Sequence, residues 1–103
     1  MIELDSELSN NDLPPLEKIL TSKGRIKILK VLAKEGELHT TQIAERTKLN
    51  YAACSSHLKK LVEYNVVQEK VFGKVRIYRF RIEEIKVRAM KNFFELWELD
   101  DSI

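Results

Sequence analysis

The chain has 103 residues, 44% of them hydrophobic and 33% charged, which suits one compact domain with one modest core, and no second domain is expected. Its formal charge of +2 conceals a split: residues 1–20 carry −4, 21–49 carry +4, 50–81 carry +5 and 82–103 carry −3. No apolar run is long enough for a membrane span and the acidic N-terminus lacks a signal peptide's basic and apolar regions, so a cytoplasmic, nucleoid-associated protein is expected; with Cys54 as the only cysteine, an intrachain disulfide is excluded.

Met1 to Asp12 is acidic, rich in Ser and Asn and without sustained period, and residues 1–13 are expected to form a flexible arm. Pro14-Pro15 stops any helix arriving from the left but is welcome in a first turn, so Leu16 to Leu20 is expected to be a short helix burying Leu16, Ile19 and Leu20. Ser22 then caps a longer helix in which Ile28, Leu29, Leu32 and Ala33 recur at helical intervals, with Gly36 as its stop. Thr40 or Thr41 is expected to cap the next helix, which runs to Lys48 and turns Ile43, Ala44 and Leu49 inward. Asn50 is a good cap for a third helix, and the pair from Thr41 to Tyr64 has the proportions of a helix-turn-helix.

That third helix, residues 50–64, has two chemically different faces. Tyr51, Cys54, Leu58, Leu61 and Val62 form an apolar stripe that needs a core to lie against, with Cys54 as a small core residue. The opposite side carries Ala52, Ser55, Ser56, Lys59 and Lys60. Short side chains allow close approach of the backbone, hydroxyls can bond a base edge or a phosphate, and lysines supply charge, as a helix in a DNA major groove requires. An ordinary amphipathic surface helix would also carry Ser and Lys outward, for solubility alone. The basic middle of the chain, which encloses this helix, is a plausible footprint for a polyanion.

After Asn65 the composition turns to β-branched and aromatic residues. Val66–Phe72 and Val75–Ile82 flank Gly73-Lys74, which predicts a hairpin over residues 66–82. Arg76, Tyr78, Phe80 and Ile82 share one face of its second strand while Val75, Ile77, Arg79 and Arg81 share the other, so the half near the tip is basic and the apolar grip tightens away from it. The last helix, from Glu83 to about Leu99, carries one stripe of Ile85, Ala89, Phe93 and Leu96 and a neighbouring stripe of Met90, Phe94 and Trp97. Both stripes could pack on the domain's own core. A core this small rarely needs both, and residues 83–103 are therefore expected to form a dimer interface through these seven side chains.

Taken together the elements make a mainly α (α+β) fold: a winged helix-turn-helix over residues 14–82 with a β-hairpin wing and an added C-terminal dimerisation helix. The run from Gly24 to Leu32, Ile43-Ala44, Ser55-Ser-His-Leu-Lys-Lys-Leu61, Val66-Val67 and Gly73-Lys-Val-Arg-Ile-Tyr78 resembles the ArsR-like winged-helix transcriptional regulators, particularly the small archaeal ones. The likeness covers about residues 16 to 82. It implies that Asn50, Ala52, Ser55, Ser56 and Lys59 face the groove and that Lys74 and Arg76 form the wing tip.

Metal-sensing members of that family carry cysteines in the helix before the recognition helix, whereas the stretch here is Leu38-His-Thr-Thr-Gln-Ile43, and the closing helix has neither His nor Cys. No metal or other cofactor is expected; His39 reads as a loop residue and His57 as a helix-surface residue that could touch phosphate. Phosphate-binding glycine loops, paired catalytic carboxylates and nucleophile–base motifs are absent from the sequence, which argues against an enzyme. The expected function is a homodimeric transcriptional regulator of double-stranded DNA, with no membrane partner. The alternatives are a weakly sequence-specific architectural or chromatin protein and a winged-helix protein-interaction module.

Overall fold

A computed structural model describes residues 13–101, with side chains as far as Glu98. Five helices and three strands follow one another: α1 (Leu16–Ile19), α2 (Lys23–Glu35), β1 (Leu38–His39), α3 (Thr40–Thr47), α4 (Tyr51–Glu63), β2 (Val67–Phe72), β3 (Val75–Phe80) and α5 (Ile85–Asp101). The expected N-terminal arm falls outside the described residues except for Leu13, which packs against the core.

Local chemistry explains most boundaries. Ser22 Oγ accepts from the backbone N–H of Gly24 at 3.1 Å and of Arg25 at 3.4 Å, starting α2 as expected, and Gly36 ends it at φ 90°, which only a residue without Cβ adopts freely. The cap of α3 is a correction. His39, not either threonine, fills that position: its Nδ1 accepts from Gln42 N–H at 3.4 Å while its own N–H donates to Gln42 Oε1 at 3.0 Å, a reciprocal capping box. Thr40 is instead the first helical residue and is buried. Asn50 caps α4 as expected, its Oδ1 accepting from Ala53 N–H at 2.7 Å.

The sheet is antiparallel in the order β1-β3-β2. Phe72 pairs with Val75, so Gly73 and Lys74 alone make the hairpin tip, and a φ of +60° at Gly73 is the pattern of a two-residue turn with glycine first. The short β1 pairs Leu38 with Tyr78 and His39 with Ile77, which ties the start of α3 to the base of the wing. Burial along β3 rises from exposed at Val75 and Arg76 to buried at Tyr78 and Phe80, so the hairpin grips the core at its base and projects its basic tip.

One core joins all of these elements, with Ile28, Leu29, Leu32, Ile43, Cys54, Leu58, Leu61, Val66 and Phe80 sealed at its centre. Two expected core residues are outside it: Leu16 and Tyr51 are exposed, at 57% and 59%. Both are the first residue of their helices. The last helix, α5, packs chiefly along α2 through Val87 and Phe94, with Lys30 and Glu98 paired at 3.1 Å across the seam.

Candidate nucleic-acid interface

The helix-turn-helix is α3 and α4, joined by Lys48 in the left-handed conformation at φ 65° and then Leu49 and Asn50. Since Cys54, Leu58 and Leu61 pin one side of α4 into the core, the helical repeat turns Ala52, Ser55, Ser56, Lys59 and Lys60 outward, and all five are exposed. Lys60 is within 3.8 Å of Glu63, an exposed pair of little energetic weight, while Lys59 makes no ion pair among the described residues. Asn50 is also exposed, but its Oδ1 is committed to the cap, which leaves only its NH2 for an external acceptor.

On the wing, Lys74 and Arg76 are exposed, Lys74 makes no ion pair among the described residues, and Arg76 Nη1 donates to Glu69 Oε2 at 3.3 Å. Two further residues were not found by sequence reasoning. Between the wing and the helix-turn-helix lies an open cleft of about 210 Å3, lined by Thr41 at the start of α3, Tyr51 at the start of α4, and Lys74 and Arg76. A hydroxyl, a phenol and two cations converging where two helix N-termini approach a hairpin form a surface suited to phosphate oxygens. The exposed Tyr51 shares the spacing of the apolar stripe, and only its place in the first turn hinted otherwise.

His39 departs from its expected place in a loop, while His57 lies partly exposed on α4 as expected but with its ring turned toward α2. His39 is the cap of α3, and the His57 ring packs against α2 so closely that a Cβ on Gly24 would stand 2.5 Å from its Nε2. Partial burial holds the His57 pKa below the ordinary value of 6.5, with the Arg25 guanidinium adding to the effect. Burial likewise pushes the Cys54 thiol up. No three His, Cys, Asp or Glu side chains are placed to hold a metal ion among the described residues, and no helix there is long and apolar enough to cross a membrane.

The C-terminal helix divides the seven side chains expected at a dimer interface. Phe94 is buried in the chain's own core at 6% exposure and Met90 is half-buried, whereas Ile85, Ala89, Phe93, Leu96 and Trp97 face outward. Beside them Leu16, Pro15 and Leu13 border an apolar groove of about 720 Å3 between α1 and α5.

Comparison with known proteins agrees with this architecture. The profile of the family described as "Bacterial regulatory protein, arsR family" matches residues 22–69, from the cap of α2 into β2. The cadmium resistance transcriptional regulatory protein CadC of Listeria innocua is 36% identical over 85 residues, covering 80% of this chain and 70% of that protein, and a CadC homologue of Staphylococcus aureus is 30% identical over 85% of this chain and 73% of its own length. In structure, the homodimeric winged helix-turn-helix DNA-binding domain of Mb0332 from Mycobacterium bovis superposes with a TM-score of 0.63 at 27% identity, covering 82% of this chain and 73% of that one. These relatives are bacterial, so the archaeal leaning of the sequence comparison finds no support. With a winged helix-turn-helix fold and relatives that are transcriptional regulators, this chain belongs to the ArsR family of transcriptional regulators.

Proposed function

We propose that the protein acts as a homodimer in the cytoplasm, lays α4 of each copy in a major groove and sets each wing on the flanking backbone. The observation that carries this reading is the exposed face of Ala52, Ser55, Ser56 and Lys59, held outward by the buried Cys54, Leu58 and Leu61. On it Ser55 and Ser56 read base edges, and Lys59, Lys60, Lys74 and Arg76 supply affinity by neutralising phosphates. Thr41 and Tyr51 add backbone contacts in the cleft under the wing.

The dimer forms through α5 with help from α1, burying Leu16, Ile85, Phe93, Leu96 and Trp97, all large, apolar and exposed in a single copy. The homodimeric state of the Mycobacterium bovis relative supports a homodimer, and the exposed apolar side chains of α5 supply the surface proposed for it. The negative charge of residues 82–103 favours placing that interface away from DNA, with both basic faces turned the same way.

The cadmium-resistance relatives raise a metal-responsive form of the same reading, and the donors here do not fit it. Soft metals want thiolates, but Cys54 is sealed in the core with its thiol pKa raised; His39 Nδ1 is engaged by Gln42 and His57 lies against Gly24. The proposed regulation therefore contains no metal step.

The test is selection of bound duplexes from a random pool by the full chain. The expected product is a palindrome whose half-site centres lie about one duplex turn apart, ~34 Å. Retained duplexes without a common half-site would favour an architectural protein, and no retention even at low salt would favour a protein-interaction module.

A further inference from the structure

The inner side of the wing carries Val67, Glu69 and Val71 on β2, opposite Phe80, Tyr78 and Arg76 on β3. The first pair is core and the last reaches the cleft beside α3 and α4. Between them sits Glu69, a carboxylate on the very side of the hairpin that would approach DNA. By charge alone it opposes binding to a polyanion, so its place there calls for a compensating use.

Its hydrogen bonds suggest that use. A single oxygen, Oε2, accepts from the Tyr78 hydroxyl at 2.7 Å and from Arg76 Nη1 at 3.3 Å. Tyr78 is itself buried, and its backbone pairs with Leu38 of β1, two residues before α3 begins at Thr40. Burial first, then the bond to Glu69, pushes the Tyr78 pKa up to about 12, so the phenol keeps its proton and remains a donor at any ordinary pH. The chain of contacts runs from β1, at the start of α3, through Tyr78 and Glu69 to the guanidinium of Arg76. That guanidinium has five N–H donors, and the bond to Glu69 leaves most of them free. An exposed arginine otherwise spends its rotamer freedom when it meets a phosphate, and anchoring one corner beforehand reduces that loss.

The geometry points to Glu69 as a positioning residue that aims Arg76 at the DNA backbone and couples the wing to the helix-turn-helix. The inference rests on the DNA-binding reading above and concerns how that binding is achieved. It makes a prediction opposite in sign to simple electrostatics, in which removing an acid from a DNA-facing surface tightens binding.

Affinity for the selected duplex is measured by fluorescence anisotropy at several salt concentrations for wild type, Glu69→Gln, Glu69→Ala, Arg76→Ala and the double variant Glu69→Ala/Arg76→Ala. Glu69→Gln keeps the shape but exchanges a charge-assisted bond for a neutral one, so binding weakens by about threefold; Glu69→Ala weakens it by about tenfold. Arg76→Ala weakens all duplexes and lowers the salt slope by about 1, and the Glu69→Ala change lowers it in the same direction. The double variant binds no more weakly than Arg76→Ala alone, because the two residues act as one unit. If Arg76→Ala weakens binding while the Glu69 variants tighten it or leave it unchanged, positioning is overturned and the wing assignment stands. Equal weakening by Glu69→Ala in the wild-type and Arg76→Ala backgrounds, with a lowered melting temperature, would make Glu69 merely structural. Should Arg76→Ala have no effect, the wing assignment itself fails and this inference with it.

Discussion

Adjacent positions on α5 should respond to substitution in opposite ways. Phe94 is 6% exposed and packs in the core, while Trp97, one turn on, is 60% exposed and stacks only against its neighbour Phe93, at 5.7 Å between ring centroids. Phe94→Ala empties a buried aromatic site and should cost folding stability about 3–5 kcal/mol. Trp97→Glu should leave the melting temperature of the isolated fold almost unchanged. Its effect falls on assembly. Fully burying a large apolar side chain contributes about 1.5–3 kcal/mol, so the exposed part of Trp97 is worth roughly 1–2 kcal/mol in each copy, or about 2–4 kcal/mol in a symmetric dimer. Burying a carboxylate there instead adds a further penalty. The dimer dissociation constant should therefore rise by at least about 30-fold, taking about 1.4 kcal/mol per tenfold change. Sedimentation velocity across the micromolar range, paired with circular dichroism melts, measures both quantities. A Trp97→Glu protein that stays dimeric, or that melts as early as Phe94→Ala, would place the outer stripe of α5 in the chain's own core and move the dimer elsewhere.

Other perturbations test the remaining assignments. Ser55→Ala and Ser56→Ala should change which duplexes are preferred, by roughly 1–3 kcal/mol for each well-made hydrogen bond to a base that is removed, whereas Lys74→Ala should weaken all duplexes alike; both are read by competition binding against the selected pool. Chelator treatment should leave DNA affinity unchanged, and a stoichiometric metal in the purified protein would contradict that expectation. Gly24→Ala sets a methyl group 2.5 Å from His57 Nε2, at the far end of that side chain, so the ring must swing away; Gly24→Ala should be less stable in the wild-type background than in a His57→Ala background, read from the melting temperatures of the four proteins. Because the His57 pKa is lowered in the folded state, the unfolded chain binds more protons just below 6.5; stability should fall as pH drops through that value, and His57→Gln should flatten the dependence in denaturant melts.

Much of this architecture was legible in the sequence because it depends on interactions within a few residues. The Ser22 and Asn50 caps, the Gly36 stop and the Gly73-Lys74 turn each answer to local backbone chemistry, and each is found where residue type placed it. The same is true of the inward face of α4, where Cys54, Leu58 and Leu61 recur at the helical period. The outward face of serines and lysines follows from it.

Periodicity fixes the direction of a side chain around its helix axis and is silent about whether another element lies in that direction. Tyr51 shares the bearing of Cys54, yet it is exposed beside the wing. Phe94 and Trp97 share a stripe, but packing buries only the first, at 6% exposure against 60%. His39 caps α3 through a reciprocal pair of bonds with Gln42, three residues on; the interaction is local, but residue type alone favoured the threonines as caps. Glu69 reads as one more charge on a strand until the hairpin register brings it beside Tyr78 and Arg76. What the sequence determined by itself was the set of elements and the chemistry of their faces; which faces are covered, and which side chains meet to shape the DNA-binding surface, was decided only when packing put distant segments against one another.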